Sequence, residues 1–108
     1  MTAVGRLGAL AQETRLEVFR LLVRQGPDGV AAGELARSLG TPHNTMSSHL
    51  SILSGAGLVT SRRAGRSVIY SVDFKGTRAL LAFLLEDCCQ GRRELCRPAV
   101  EAAMADCC

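Results

Sequence analysis

Apolar residues recur at helical spacing through the first half of the chain, and glycine and proline punctuate the runs. Residues 3–11 (AVGRLGALA) predict a short helix weakened by two glycines. Residues 13–25 (ETRLEVFRLLVRQ) predict a stronger one, with Leu16, Phe19, Leu22 and Val23 on one stripe and Arg15, Arg20 and Arg24 off it. Gly26-Pro27-Asp28-Gly29 is a break. Residues 31–39 predict a third helix, which Gly40 closes in a left-handed position. Thr41-Pro42 then offers an N-cap and a first-turn proline for a fourth helix, running to about Ser54 and ending at Gly55-Ala56-Gly57. Its apolar stripe is Met46, Leu50 and Leu53, with His49 at the edge and Asn44, Ser47, Ser48 and Ser51 facing away.

The pattern then changes period. Residues 58–63 (LVTSRR) and 66–72 (RSVIYSV) predict two strands, the second alternating Val68, Tyr70 and Val72. Ala64-Gly65 joins them as a hairpin with a cationic tip. Residues 75–87 predict a fifth helix that is apolar on every side, which suits a core plus an interface. Pro98 opens a last short helix before Cys107-Cys108. The fold class is therefore mainly α with a small β-hairpin.

Composition adds limits. A chain of 108 residues makes one domain, and with 4% aromatic residues its core must rest on Leu, Val and Ala. A thin aliphatic core of this kind often gains stability by dimerising. Neither an export signal nor an apolar run near membrane-spanning length is evident, so a soluble cytoplasmic protein is expected. Charge is uneven: residues 1–78 carry ten Lys/Arg against five Asp/Glu, and residues 79–108 carry three against five. Twelve of the thirteen cations are Arg, which favours planar contacts to phosphates and guanine edges.

Two helices joined by a three-residue turn, followed at once by a basic hairpin, form a winged helix-turn-helix pattern. Small Ala36 lets the third and fourth helices cross closely. A helix entering the major groove buries one stripe and presents short polar side chains on the other. Asn44, Thr45, Ser47 and Ser48 supply that face. His43, at the start of the helix, either touches a base or phosphate or is simply solvated. His49 reads as a satisfied core histidine. Arg62, Arg63 and Arg66 give the wing its phosphate-binding charge. With no acid pair, Ser/His/Asp constellation or phosphate-cradling glycine loop, an enzyme is not expected.

Three thiols, Cys88, Cys89 and Cys96, fall within nine residues after the fifth helix. All five cysteines lie at or beyond position 88, so they do not staple the whole fold. In a reducing compartment clustered thiols read as metal-binding or redox-active. On an unbroken helix Cys88 and Cys89 diverge by about 100°, and Cys96 lies ~10 Å further along the axis. Three sulfurs on one ion must approach within about 4 Å of each other. The helix must therefore stop, and Gly91 allows the chain to fold back. Polar neighbours Glu86, Asp87, Gln90, Arg92 and Arg93 argue against inert buried thiols, and the arginines favour the thiolate. Thiolates select soft ions. Trivalent arsenic takes three thiolates and keeps a lone pair, whereas zinc normally requires four ligands. Cys107 and Cys108 are either an auxiliary ligand pair or a reactive tail.

The segments ALAQETRLEVFRLL, ELARSLGTPHNTMSSHLSILSGAGLV and SRRAGRSVIYSV make the chain resemble the ArsR/SmtB family of metal-sensing winged-helix repressors over about residues 8–85. The resemblance implies a homodimer with the first and fifth helices at its interface, bound to double-stranded operator DNA and released by inducer. It implies a single domain over 1–108, with a DNA-binding core at about 12–73 and dimerisation helices at about 3–11 and 75–87. A cysteine-rich sensor segment over 88–108 completes it. Departures are informative. Ala31 and Gly33 stand where many members carry a Cys-Val-Cys metal site, no histidine follows His49 to serve a fifth-helix zinc site, and Ser48 replaces a frequently basic residue. What the resemblance leaves as sensor is Cys88, Cys89 and Cys96, with As(III), or Sb(III), as inducer and no required cofactor. Rival readings are a thiol redox or persulfide switch, a sensor of cadmium, lead, zinc or a methylated arsenical, and, in another class, a thiol enzyme or metal carrier without DNA binding.

Overall fold

A computed structural model describes residues 2–86 and 93–105, apart from the side chains of Arg93 and Cys96. Helices α1 (Ala3–Leu10) and α2 (Glu13–Gln25) lead through a 3-10 turn (Gly26–Asp28) into strand β1 (Val30–Ala31). Helices α3 (Ala32–Ser38) and α4 (His43–Gly55) follow, then strands β2 (Val59–Ala64) and β3 (Ser67–Val72), α5 (Phe74–Leu85) and α6 (Arg93–Ala105). This is the winged helix-turn-helix order expected from the pattern.

The turns on either side of α4 share one mechanism. After α3, Gly40 takes φ 60°, its N–H reaches the Arg37 carbonyl and the Thr41 N–H reaches that of Ala36. After α4, Gly57 takes φ 73°, with Gly57 N–H bonded to Ser54 and Leu58 N–H to Leu53. Both are Schellman ends, and fully buried Leu53 and Leu58 provide the apolar contact that accompanies the second. The core gathers Val18 and Leu22 of α2, Leu35 and Ala36 of α3, and Met46, Leu50 and Leu53 of α4 beneath the sheet and Leu80 of α5.

Several expectations need correction. The sheet has three strands in the order β1-β3-β2, not two, because Val30 and Ala31 pair antiparallel with Tyr70 and Ile69. Helix α3 therefore begins one residue later than predicted. Helix α4 begins at His43, with Pro42 at the capping position and no side-chain cap. The residue before a proline avoids the helical region, and the Thr41 hydroxyl instead donates backward to the Leu39 carbonyl at 3.4 Å. On α2 the buried residues are Val18 and Leu22, while Leu16 and Val23 are exposed. Pro98 lies inside α6 rather than opening it, since Glu94, Leu95 and Arg97 favour helix ahead of it. On α5 only Gly76 and Leu80 are buried; Leu81, Phe83, Leu84 and Leu85 stand exposed. Among the described residues no helix is long and apolar enough to cross a membrane.

Candidate nucleic-acid interface

Helix α4 is anchored by Met46, Leu50 and Leu53, spaced four and three residues apart, so its opposite face is turned outward. His43, Asn44, Thr45, Ser47 and Ser48 are all exposed there, as the sequence implied. Two of them are already engaged with the backbone. Asn44 Oδ1 accepts from the Thr45 N–H at 2.9 Å, satisfying a donor of the uncapped first turn. Ser48 Oγ donates to the Asn44 carbonyl at 3.3 Å. Asn44 therefore offers its amide N–H groups as it stands, and bidentate pairing with adenine requires it to rotate out of the Thr45 bond. His43 rests against the first turn of α3, where its Cε1 lies 3.7 Å from the position a Cβ on Gly33 would take.

The wing projects from the sheet, and every residue from Thr60 to Ser67 is exposed. Ala64 pairs with Ser67, leaving Gly65-Arg66 as a two-residue turn in which Gly65 supplies φ 64°. Its three arginines are not equivalent. Arg62 Nη2 donates to the Asp28 carbonyl at 2.7 Å, tying the wing to the 3-10 turn. Arg63, next along the strand, belongs to the opposite face, and Arg66 sits at the tip.

Three further arginines, which the apolar pattern does not single out, shape this surface from behind. Arg15 Nε donates to the Ala9 carbonyl at 2.6 Å, and its Nη1 lies 3.4 Å from Nδ1 of half-buried His49. His49 is thus part of the scaffold, as expected, held by α2 against α4. Arg6 Nε donates to the Ala56 carbonyl at the end of α4 at 3.1 Å. Arg37 pairs with Glu34 at 2.6 Å beside the start of α4, an ion pair its i,i+3 spacing could have signalled. Nothing in local spacing announces Arg6 or Arg15, whose partners are remote in sequence.

Cys88, Cys89, Cys107 and Cys108 lie outside the described residues, as does the Cys96 side chain. Helix α5 ends at Leu85 with Glu86 extended, and Cys96 is the fourth residue of α6. Among the described residues no group of three or more His, Cys, Asp or Glu is placed to hold a metal ion.

A helix-turn-helix domain model matches residues 10–62. A homodimeric winged helix-turn-helix DNA-binding domain from Mycobacterium bovis, described as a possible ArsR-family transcriptional regulator, is 31% identical with a TM-score of 0.62. The match covers 88% of this chain and 83% of that one. The chain belongs to the ArsR family of winged helix-turn-helix transcriptional regulators. Within the family, a possible transcriptional regulator for arsenical resistance is 33% identical in its crystal structure, with a TM-score of 0.66 over 73% of this chain and 79% of that one. The HTH-type transcriptional regulator CmtR of Mycobacterium tuberculosis is 42% identical over 73 residues, 66% of this chain. The chain spans 58% of the length of that relative.

Proposed function

We propose that the protein is a cytoplasmic homodimeric repressor that binds double-stranded operator DNA and is released when trivalent arsenic, or antimony, binds Cys88, Cys89 and Cys96. The observation carrying the DNA reading is the exposed polar face of α4 beside an arginine wing. The sensor reading is supported by the donor set: three thiols close in sequence, next to α5, in a chain with no Cys at positions 31 and 33. Arsenous acid exchanges its three hydroxides for three thiolates, each S–H proton leaving with a hydroxide as water. A pyramidal product draws the cysteine segment together at the end of α5 and so acts on the dimer frame that spaces the two recognition helices. The DNA-binding core at about 12–73, the dimerisation helices α1 and α5, and the sensor segment 88–108 are parts of this proposal. Arsenite titration of the protein on labelled operator tests it: one As(III) per subunit should accompany release, and release by peroxide or polysulfide alone would replace arsenic with a redox switch.

The wing and the helix should fail differently. Arg63→Ala and Arg66→Ala should weaken binding to all sequences alike and lower the salt slope by about 0.9 for each phosphate that is no longer neutralised. Asn44→Ala, Ser47→Ala or Ser48→Ala should change which operator is preferred, by about 1–3 kcal/mol for a base contact. Binding measured across operator variants and salt concentrations separates the two, and uniform weakening from both groups would sink the division.

The partner subunit has an obvious seat. Leu81, Phe83, Leu84 and Leu85 on α5 are about half exposed in one subunit, with Val4 and Leu7 of α1 exposed as well. Burying each leucine contributes about 1.5–3 kcal/mol. Leu81→Glu and Leu84→Glu should therefore yield monomers by sedimentation and lose operator binding, because two half-sites are no longer held at fixed spacing. Intact dimers from both would place the interface elsewhere.

A further inference from the structure

The C-terminal end of the recognition helix is clasped from two sides. From α1, Arg6 donates its Nε–H to the Ala56 carbonyl, and its guanidinium lies 3.5 Å from where a Cβ on Gly57 would project. From α5, Gly76 packs directly on the Gly57 backbone, and Asp73 N–H donates to the Leu58 carbonyl at 2.9 Å. α1 and α5 are also the helices whose other faces carry exposed Val4, Leu7, Leu81 and Leu84. The end of α4 is thus joined to the apolar helices through the Arg6 side-chain hydrogen bond on one side, and through the Gly76–Gly57 backbone contact and the Asp73–Leu58 backbone hydrogen bond on the other.

We infer that Arg6 is a positioning residue that sets the angle of the recognition helix against the dimer frame, and so selects the spacing between operator half-sites. This rests on the reading of the protein as a dimeric operator binder. The carbonyls at a helix end are without intrahelical partners and carry the negative end of the helix dipole, so a guanidinium there is favoured electrostatically and sterically directed. Nε–H lies in the guanidinium plane and fixes the approach, unlike a freely rotating ammonium. Helix α4 has no side-chain cap from Pro42 at its other end, where the Pro42 carbonyl accepts from Met46 and Asn44 Oδ1 from Thr45, both within the helix's own first turn. The core packing of Met46, Leu50 and Leu53 holds the helix down, and the Arg6 bond adds a directed link from α1 to its C-terminal end that bears on its tilt. Half-sites about one helical turn apart are sensitive to tilt, since one added base pair moves a half-site by ~3.4 Å and rotates it by roughly 35°.

The test uses a palindromic duplex selected from a random pool by the wild-type dimer, with derivatives whose central spacer is one or two base pairs longer or shorter. Wild type should show a sharp spacing optimum. Arg6→Ala should bind the optimal duplex about tenfold more weakly, as expected for loss of one charged hydrogen bond, yet lose little on the shifted duplexes, flattening the profile. Arg6→Lys keeps the charge and should restore thermal stability while regaining only part of the discrimination; it also serves if Arg6→Ala does not fold. Sedimentation confirms that each variant is dimeric. A lower melting temperature with the full spacing optimum retained in both variants would make Arg6 a mere helix cap and overturn the inference. A wild type that binds without any spacing preference would refute the paired half-site reading itself, and this inference with it.

Discussion

Gly76→Ala should cost about 3 kcal/mol or more of stability. A Cβ there would overlap the Gly57 carbonyl oxygen and come within 2.8 Å of its carbonyl carbon. Both obstacles are backbone, so no rotamer change relieves them. Nor can α5 slide away cheaply. Asp73 Oδ1 accepts from the Lys75 and Gly76 N–H groups at 3.1 and 3.2 Å, and the Thr77 hydroxyl donates to the Asp73 carbonyl at 2.9 Å. Moving the first turn far enough to admit a methyl group breaks this cap or the bond from Asp73 to Leu58. At ~4–8 °C per kcal/mol for a domain of this size, thermal unfolding should fall by more than ten degrees or so. Operator binding should fail in whatever folded fraction remains, because α5 is displaced from the end of α4. Gly55→Ala is the control. It lies in helix with nothing within 4 Å of the added methyl, and should be neutral or stabilising by up to about 1 kcal/mol. Equal melting of wild type and Gly76→Ala would show that the two backbones are not in contact.

The elements with strong local punctuation were legible. Gly40 and Gly57 end two helices in left-handed turns, and the buried line Met46, Leu50 and Leu53 is a plain helical period. The alternation of Val68, Tyr70 and Val72 before a Gly-containing turn was enough for the wing. Strand β1 was not legible, because two residues carry no alternation and Val30-Ala31 becomes a strand only through the edge β3 offers it. The inward face of α2 was misread because apolar residues occupy more than one side, and only neighbours decide between Val18 and Leu16. The same holds for the arginines. Arg6 meets Ala56 fifty positions away, and Arg15 and Arg62 meet His49 and Asp28 across thirty-four, so their scaffold roles have no local signature. By charge alone Arg62 reads as one more phosphate ligand. For the cysteines, residue type and spacing spoke only to chemistry, and geometry there lies outside the described residues.

Replacement of any one of Cys88, Cys89 and Cys96 by Ser should abolish release by arsenite while leaving inducer-free operator binding intact. No cysteine lies in α4 or the wing, so the DNA-binding surface is untouched. Loss should be near complete because a serine hydroxyl is a hard, protonated ligand that does not replace a thiolate on a soft ion. Two remaining thiols leave the third position of the ion on hydroxide, and the segment is no longer drawn together. Cys107→Ser with Cys108→Ser should be almost silent, since these two stand eleven and twelve residues beyond Cys96. The pH dependence gives a second, independent check. A divalent aquo-ion such as cadmium or zinc displaces protons from thiols, so its affinity should rise with pH up to the thiol pKa. Arsenous acid brings its own hydroxides, which take up the thiol protons as water, so its affinity should be nearly flat between about pH 6 and 8, below the ordinary thiol pKa. Arsenite and cadmium titrations of wild type and each mutant on labelled operator, under strong reductant and across that range, read both effects. Dependence on only two of the three cysteines would favour a methylated arsenical, which has two exchangeable positions. An arsenite response untouched by all three replacements would place the sensor outside this cluster.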